Sequence, residues 1–337
     1  MDGLRAEGQP GIVGQGQIVG GDGADELFLG NDLFKESSVR RFCLRRPQSP
    51  GRQRLFERVH PLAASDSRMP ASWRSLVESA SPNDPLFSHL PRFLSSRIDD
   101  FYTREFRAGL NGVDVIREVR ASLPTRFFGW SPLNQAAYLE MTTRLSPYLL
   151  SSHGDRMTMA HGVEARYPFL DHRLFEFAAA LPTGSRLRGL REKEVLRRWA
   201  ARILPGQISA GRKPLYRAPD AQSFFLPTSP SWIGDHLTSE ALKRVGIFSP
   251  AAVGGLVRRC CAGLSPALGE NQAMVGVLST QLWHHQFIES ALLIPPLPAG
   301  EASVLIGSRP VQTAPDMMGS PQTMSRIHAI DWLRALA

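Results

Sequence analysis

Along this 337-residue chain, one short apolar run of strand character is followed by many stretches with helical spacing of apolar positions. In "GQIVGGDG", Gln17 to Val19 reads as a strand that ends in the glycine turn Gly20-Gly21. From Leu33 the pattern becomes helical through "VRRFCLRR" and stops at Pro47 and Pro50. Between Arg52 and Pro91 the prolines at 61, 70, 82, 85 and 91 predict short helices and loops. The best-organised pattern spans Ser131 to Pro205. Ser131 before Pro132 predicts a capped helix with proline at its first position, continuing to Ser146-Pro147. "DRMTMAH" predicts another helix, closed by Gly162. Tyr167 precedes Pro168 and is therefore pushed extended, so "VEARYPFL" cannot end as helix. Asp171 caps "HRLFEFAAAL", with Leu174, Phe175, Ala178 and Leu181 on its apolar face, and Glu192 to Leu204 forms a further helix. A lone strand cannot make a sheet. The pattern thus predicts either a nearly all-helical chain or a sheet whose other strands lie upstream of Met1.

Composition narrows the picture. A hydrophobic content of 42% supports a real core. The formal charge is 39 − 31 = +8, but the cations are spread along the chain and give no nucleic-acid stripe. Arginine is abundant, whereas lysine occurs only at Lys35, Lys193, Lys213 and Lys243, a scarcity that points to Lys193 and Lys213 as candidates for chemistry. Cys43, Cys260 and Cys261 have neither zinc-ligand spacing nor an even count, so a reducing, cytoplasmic setting is expected. No apolar run approaches the ~20 residues that cross a bilayer. The Gly-rich start to residue 16 reads as a loose leader, 17–294 as one partial domain, and the Gly, Pro, Ser and Thr-rich stretch 295–337 as a disordered tail.

Four stretches carry the candidate chemistry: "GGDGADELF" at 20–28, "DRMTMAHGVEARYPFLDHRL" at 155–174, "REKEVLRRWA" at 191–200 and "GRKPLYRAP" at 211–219. In this order and spacing, from about Gln17 to Phe225, they resemble the synthetase domain of the glutamine-hydrolysing asparagine synthetases. The resemblance implies the C-terminal part of an ATP-pyrophosphatase fold, an α/β remnant that is predominantly α-helical. It implies ATP and Mg2+ as cofactors, with a small-molecule carboxylate, aspartate by default, joined to AMP and then amidated by ammonia from glutamine.

It also implies site residues. Asp25 stands at the family's metal-binding aspartate. Asp22 stands near the reacting acyl group, and Glu164 lines the substrate cleft with it. Lys193 and Lys213 match two lysines near the phosphates, and Gly21 and Gly23 belong to the nucleotide-binding turn. Other readings of the same residues stay open. Both aspartates suit turn and N-cap amides, Lys193 between Glu192 and Glu194 suits a solvated face, and Glu164 with Arg166 suits a plain ion pair. His161 and His172 lack partners at metal spacing.

The chain departs from the family in several places. The upstream Ser-Gly-Gly-x-Asp-Ser phosphate loop does not occur, and residue two is Asp where the glutaminase domain begins with cysteine. Gly20-Gly21 replaces Ser-Gly, and Asn31 replaces Tyr. The expectation is therefore a truncated or split ligase, with a separate glutaminase or nucleotide-loop chain as partner. The alternative is a non-catalytic helical protein that binds a partner through an exposed sheet edge. On the first expectation, the purified chain given ATP, magnesium and aspartate releases no pyrophosphate; a measurable burst refutes it.

Overall fold

Residues Gly16–Val19 form the expected strand, β1, and its partner lies within the chain: Val163–Arg166, β2, runs parallel to it. Gly16 stands opposite Val163, and Val19 opposite Arg166. The lone-strand expectation is thus corrected. "VEAR" alternates apolar and polar residues over only four positions, too short a run to announce a strand by itself, and the extended conformation that Pro168 imposes on Tyr167 carries back through it. This computed structural model describes residues 16–46, 81–95, 97–211, 221–226, 228–263 and 268–289, with positions 49, 51, 52 and 55. The leader to residue 15, most of the proline-rich stretch, Lys213 and the tail from 295 lie outside the described residues.

The described chain is mostly helical and divides into two compact units. The first holds the sheet. After β1 come a one-turn helix α1 (Ala24–Leu27) and the longer α2 (Asp32–Leu44). Asn31 caps α2, its side chain accepting from the Leu33 N–H. Helix α3 (Pro132–Glu140) starts as predicted, with the Ser131 hydroxyl accepting from the Asn134 N–H. It does not stop at Ser146. The chain passes through Pro147 in a wider, π-type helix, Met141–Asp155, and continues as α4 (Arg156–Ala160). A π turn shifts the hydrogen-bond pattern away from the i−4 carbonyl with which a proline ring collides, so Pro147 is carried. Gly162, at φ 64°, ends α4 and turns the chain into β2. Asp171 then caps α5 (His172–Ala180), which buries Phe175 and Ala178.

The core of this unit gathers Leu27, Phe28, Leu86, Phe87, Phe127, Leu139 and Phe175; Leu29, Leu33, Phe34 and Ala136 form an adjoining cluster. Inside it sits Glu140, fully buried. Its carboxylate accepts from Asn31 (2.8 Å), Arg92 (2.9 Å), Arg144 (2.7 Å) and His89 Nε2 (3.1 Å). Burial works to raise the Glu140 pKa, but the His89 hydrogen bond and the arginine charges hold it down at about 2. His89 is itself buried and pushed below its usual pKa by desolvation, which suits a neutral ring that donates to Glu140 and accepts from Ser88.

The second unit is a helical cluster. Its main helices, Ser239–Val245, Pro250–Cys261 and Leu268–His284, pack Leu242, Val253, Leu256, Met274 and Val277 around Phe101 and Phe248. No helix among the described residues is long and apolar enough to cross a membrane.

Glu140 yields a prediction. Glu140→Gln should lower the unfolding free energy by about 3 kcal/mol, as when one partner is removed from a buried ionic cluster, whereas Arg144→Met at the exposed rim should cost about 1 kcal/mol or less. With a folded pKa near 2 against an ordinary 4.5, the carboxylate contributes stability above pH 4.5 and loses it as pH falls toward 2. Urea titrations of both variants at pH 7 and pH 3 check this. Equal costs for the two, or a gap that does not shrink at pH 3, contradict it.

Candidate active site

Parallel strands leave their ligand-facing loops at their carboxyl ends. β1 opens there into Gly20–Gly23 and β2 into Tyr167–Leu170, and the two loops are tied by the Gly20 N–H donating to the Arg166 carbonyl (2.8 Å). Gly23 has φ 89°, and a Cβ on it would meet Leu170 Cδ2 at 2.5 Å. Backbone and packing both demand glycine here. Gly21 faces open space, with no heavy atom within 4 Å of an added Cβ.

α1 then carries Asp25 and Glu26 before the chain dives into the core at Leu27, Phe28 and Leu29, each no more than 2% exposed. Burying each of these side chains contributes roughly 1.5–3 kcal/mol; a part-exposed ion pair contributes about 1 kcal/mol or less. The loop is therefore held by its apolar root and not by its charges. Arg186, buried beneath it, donates to the Leu27 carbonyl (3.2 Å) and to Asn134, and burial pushes its pKa down to about 10.

The structure brings Asp25 and Lys193 together: the Lys193 Nζ lies 2.6 Å from Asp25 Oδ1. Lys193 stands immediately before helix α6 (Glu194–Ala200) in a left-handed conformation, φ 52°, and its N–H donates to the Phe28 carbonyl (3.2 Å). Both side chains are partly exposed. Asp22 lies elsewhere in the loop, its carboxylate beside Gly20 and the Tyr167 ring. Burial first, then the charges of Asp155 and Asp22, raise the Tyr167 pKa. Glu164 sits on β2, where it pairs with Arg166 (2.5 Å) and accepts from Gln17 (3.1 Å). Lys213 lies outside the described residues.

Several residues were not singled out by the sequence pattern. Glu26, the third acid of the glycine-rich turn, is 2% exposed, and burial, with Asp25 and Glu140 nearby, raises its pKa to about 7. Lys35 pairs with Glu192 (2.8 Å), which also binds Arg197 (2.5 Å). Burial opposes the Glu192 charge, but the Lys35 and Arg197 hydrogen bonds hold its pKa at about 2. Arg197 in turn donates to the carbonyls of Ser209 (3.3 Å) and Gly211 (2.8 Å). The scarcity of lysine is thus explained differently at Lys35, which is an anchor for the Glu192–Arg197 brace.

A divalent cation finds limited support in this geometry. Among the described residues no group of three or more His, Cys, Asp or Glu is placed to hold a metal. Asp25 offers one carboxylate, and its Oδ1 already holds an ammonium. The described donors do not by themselves make a magnesium site.

The Asparagine synthase family matches residues 17–285, well beyond the Phe225 at which the resemblance by motif fades. An amidase, chry2, of Gibberella zeae is 26% identical over 226 residues, 60% of this chain and 32% of that protein. A putative asparagine synthetase (glutamine-hydrolyzing) of Mycobacterium bovis is 27% identical over 194 residues, 57% of this chain and 28% of its own length. Asparagine synthetase (glutamine-hydrolyzing) 1 of Bacillus subtilis is 25% identical over 196 residues, 58% and 29%. The chain spans under a third of the length of these relatives. No solved structure matches it.

The buried Glu26 gives a pH test. Its folded pKa near 7 lies above the ordinary 4.5, so the folded protein keeps a proton that the unfolded chain loses. That contribution is full below pH 4.5 and lost as pH rises through 7. Relative to Glu26→Gln, the native protein should lose up to about 3 kcal/mol of stability between pH 5 and pH 8. His89 titrates equally in both and cancels. Thermal melts of the pair across that range check the sign; a difference that is flat or grows with pH contradicts it.

Proposed function

Because the chain belongs to the asparagine synthase family, we propose that it serves an ATP-dependent amide-forming ligase of the asparagine-synthase kind. In the proposed reaction a carboxylate oxygen of the substrate, aspartate by default, attacks the α-phosphorus of ATP and pyrophosphate leaves. Ammonia derived from glutamine then attacks the acyl carbon and AMP leaves. The observation that carries this reading is the Lys193 ammonium, held at 2.6 Å from Asp25 where the loop from a parallel strand opens to solvent. Departing pyrophosphate develops negative charge, and a fixed cation at that point lowers the barrier. A lysine ammonium is a compact point charge suited to such an oxygen.

Lys213 is proposed as the second cation on its resemblance alone, and Asp22 and Glu164 as residues facing the substrate. Magnesium likewise rests on the resemblance, and no step is routed through it here. The parallel pair supports a further part of the reading. Parallel strands are ordinarily buried on both faces, yet Ile18 is 47% and Val19 76% exposed. We propose that more strands and a phosphate loop join this sheet, from the same polypeptide or from a separate chain, and that a glutaminase supplies the ammonia. The same exposure favours the second reading, a non-catalytic helical protein whose sheet edge binds a partner.

Aspartate-dependent exchange of pyrophosphate into ATP separates the two. The chain would be assayed alone and together with a polypeptide carrying a Ser-Gly-Gly-x-Asp-Ser loop. Exchange is expected in the mixture, falling by roughly 100-fold in Lys193→Ala, the scale set by removal of one transition-state donor. Exchange that is unchanged by Lys193→Ala sinks the ligase role of this lysine. A stable complex with no exchange in any form favours the partner-binding reading.

A further inference from the structure

Leu29 (φ 56°) and Lys193 (φ 52°) are the two non-glycine residues with positive φ among the described residues, and they stand on segments joined by the Lys193 N–H to Phe28 carbonyl hydrogen bond. A left-handed conformation costs an ordinary side chain about 1–2 kcal/mol, and such strain persists only where the surroundings hold it. Gly30 lies at the same point. Its own N–H donates to the Asp25 carbonyl (2.7 Å), and its φ is not in the left-handed region. Its need for glycine is one of space. A Cβ built on Gly30 would overlap both Lys193 Cε and Asp25 Oδ1, and would crowd Lys193 Cγ at 3.1 Å. The lysine stem crosses the face of Gly30 to reach the carboxylate, and only a hydrogen there leaves room.

We propose that Gly30 is a positioning residue, a steric seat that sets the Lys193 ammonium against Asp25. The role of that ammonium toward pyrophosphate rests on the ligase reading above; the seat itself does not. Lys193 cannot respond by a small backbone shift, because its left-handed turn, its N–H bond to Phe28 and the start of α6 already fix its Cα. Any side chain at 30 must therefore move the ammonium.

Amine-selective acylation of the full chain, read by mass spectrometry at individual lysines, tests the seat without an activity assay. Gly30→Ala should speed acylation of Lys193 by about fivefold, the factor that loss of a part-exposed ion pair gives, with the exposed Lys243 as internal reference. Gly129→Ala, where an added Cβ meets nothing within 4 Å, should leave Lys193 unchanged. Should Gly30→Ala fold poorly, Lys193→Gly in the same chain removes both the stem and the left-handed strain. The double variant should regain most of the lost melting temperature, a coupling that independent sites do not show. Lys193 acylation equal to wild type, or additive melting temperatures, overturns the proposal. If acylation speeds up and the melting temperatures couple while Lys193→Ala leaves pyrophosphate exchange intact, the seat stands and the ligase reading falls.

Discussion

Glu140 carries a charge into a place with no solvent, and the first unit is arranged around that fact. A buried carboxylate without partners would be neutral or expelled; here donors from two other segments and from its own helix reach it. Asn31 comes from the exit of the acidic loop, His89 and Arg92 from the helix at 90–95 and the turn before it, and Arg144 from the next turn of the same helix. Because each donor must arrive in register, the cluster ties the site loop to α3 more specifically than apolar contact alone could. Apolar packing tolerates sliding; a buried ionic cluster does not.

That tie explains a chain of consequences at the loop. Leu27 to Leu29 enter the core two residues after Asp25, so the step from a part-exposed carboxylate to a buried leucine leaves the backbone little freedom. Leu29 stands in the left-handed region at the end of this step. Lys193 meets this segment through its own N–H and its ammonium, and the brace of Lys35, Glu192 and Arg197 holds the residues beside it. Around the loop, Asp25 is paired with Lys193 and Glu192 with Lys35 and Arg197, while buried Arg186 is met by the Leu27 carbonyl and the Asn134 side chain. The charged side chains set direction, while the free energy that keeps the loop in place comes from the leucines and Phe28.

Much of the local structure was legible in particular residues. Ser131-Pro132, Asp171 and Gly162 act through capping and left-handed geometry, which are properties of one turn and need no distant partner. Pro147 misled for the matching reason: proline rules assume i−4 hydrogen bonding, and the π-type helix changes that pattern. Asn31 stood out only as a departure from the family's tyrosine. Its two jobs, capping α2 and donating to Glu140, involve a residue 109 positions away, and no local window contains that pairing. Glu26 was masked by its neighbours, since three acids in a glycine turn suggest exposure whichever of them points inward.

The amino-acid sequence alone determined the start of β1, the caps of α3 and α5, the extended approach to Pro168, and the membership of a family by the order of four short stretches. These depend on steric and hydrogen-bond rules within a few residues, or on residue identity itself. Tertiary structure alone decided that "VEAR" is the strand beside β1, that Glu26 is buried while Asp25 is not, and that Lys193 crosses Gly30 to reach Asp25. Each of those is a meeting of segments more than a hundred residues apart, or a choice of which side of one helical turn faces the core. Such choices are made by packing across the whole unit, and spacing along the chain does not encode them.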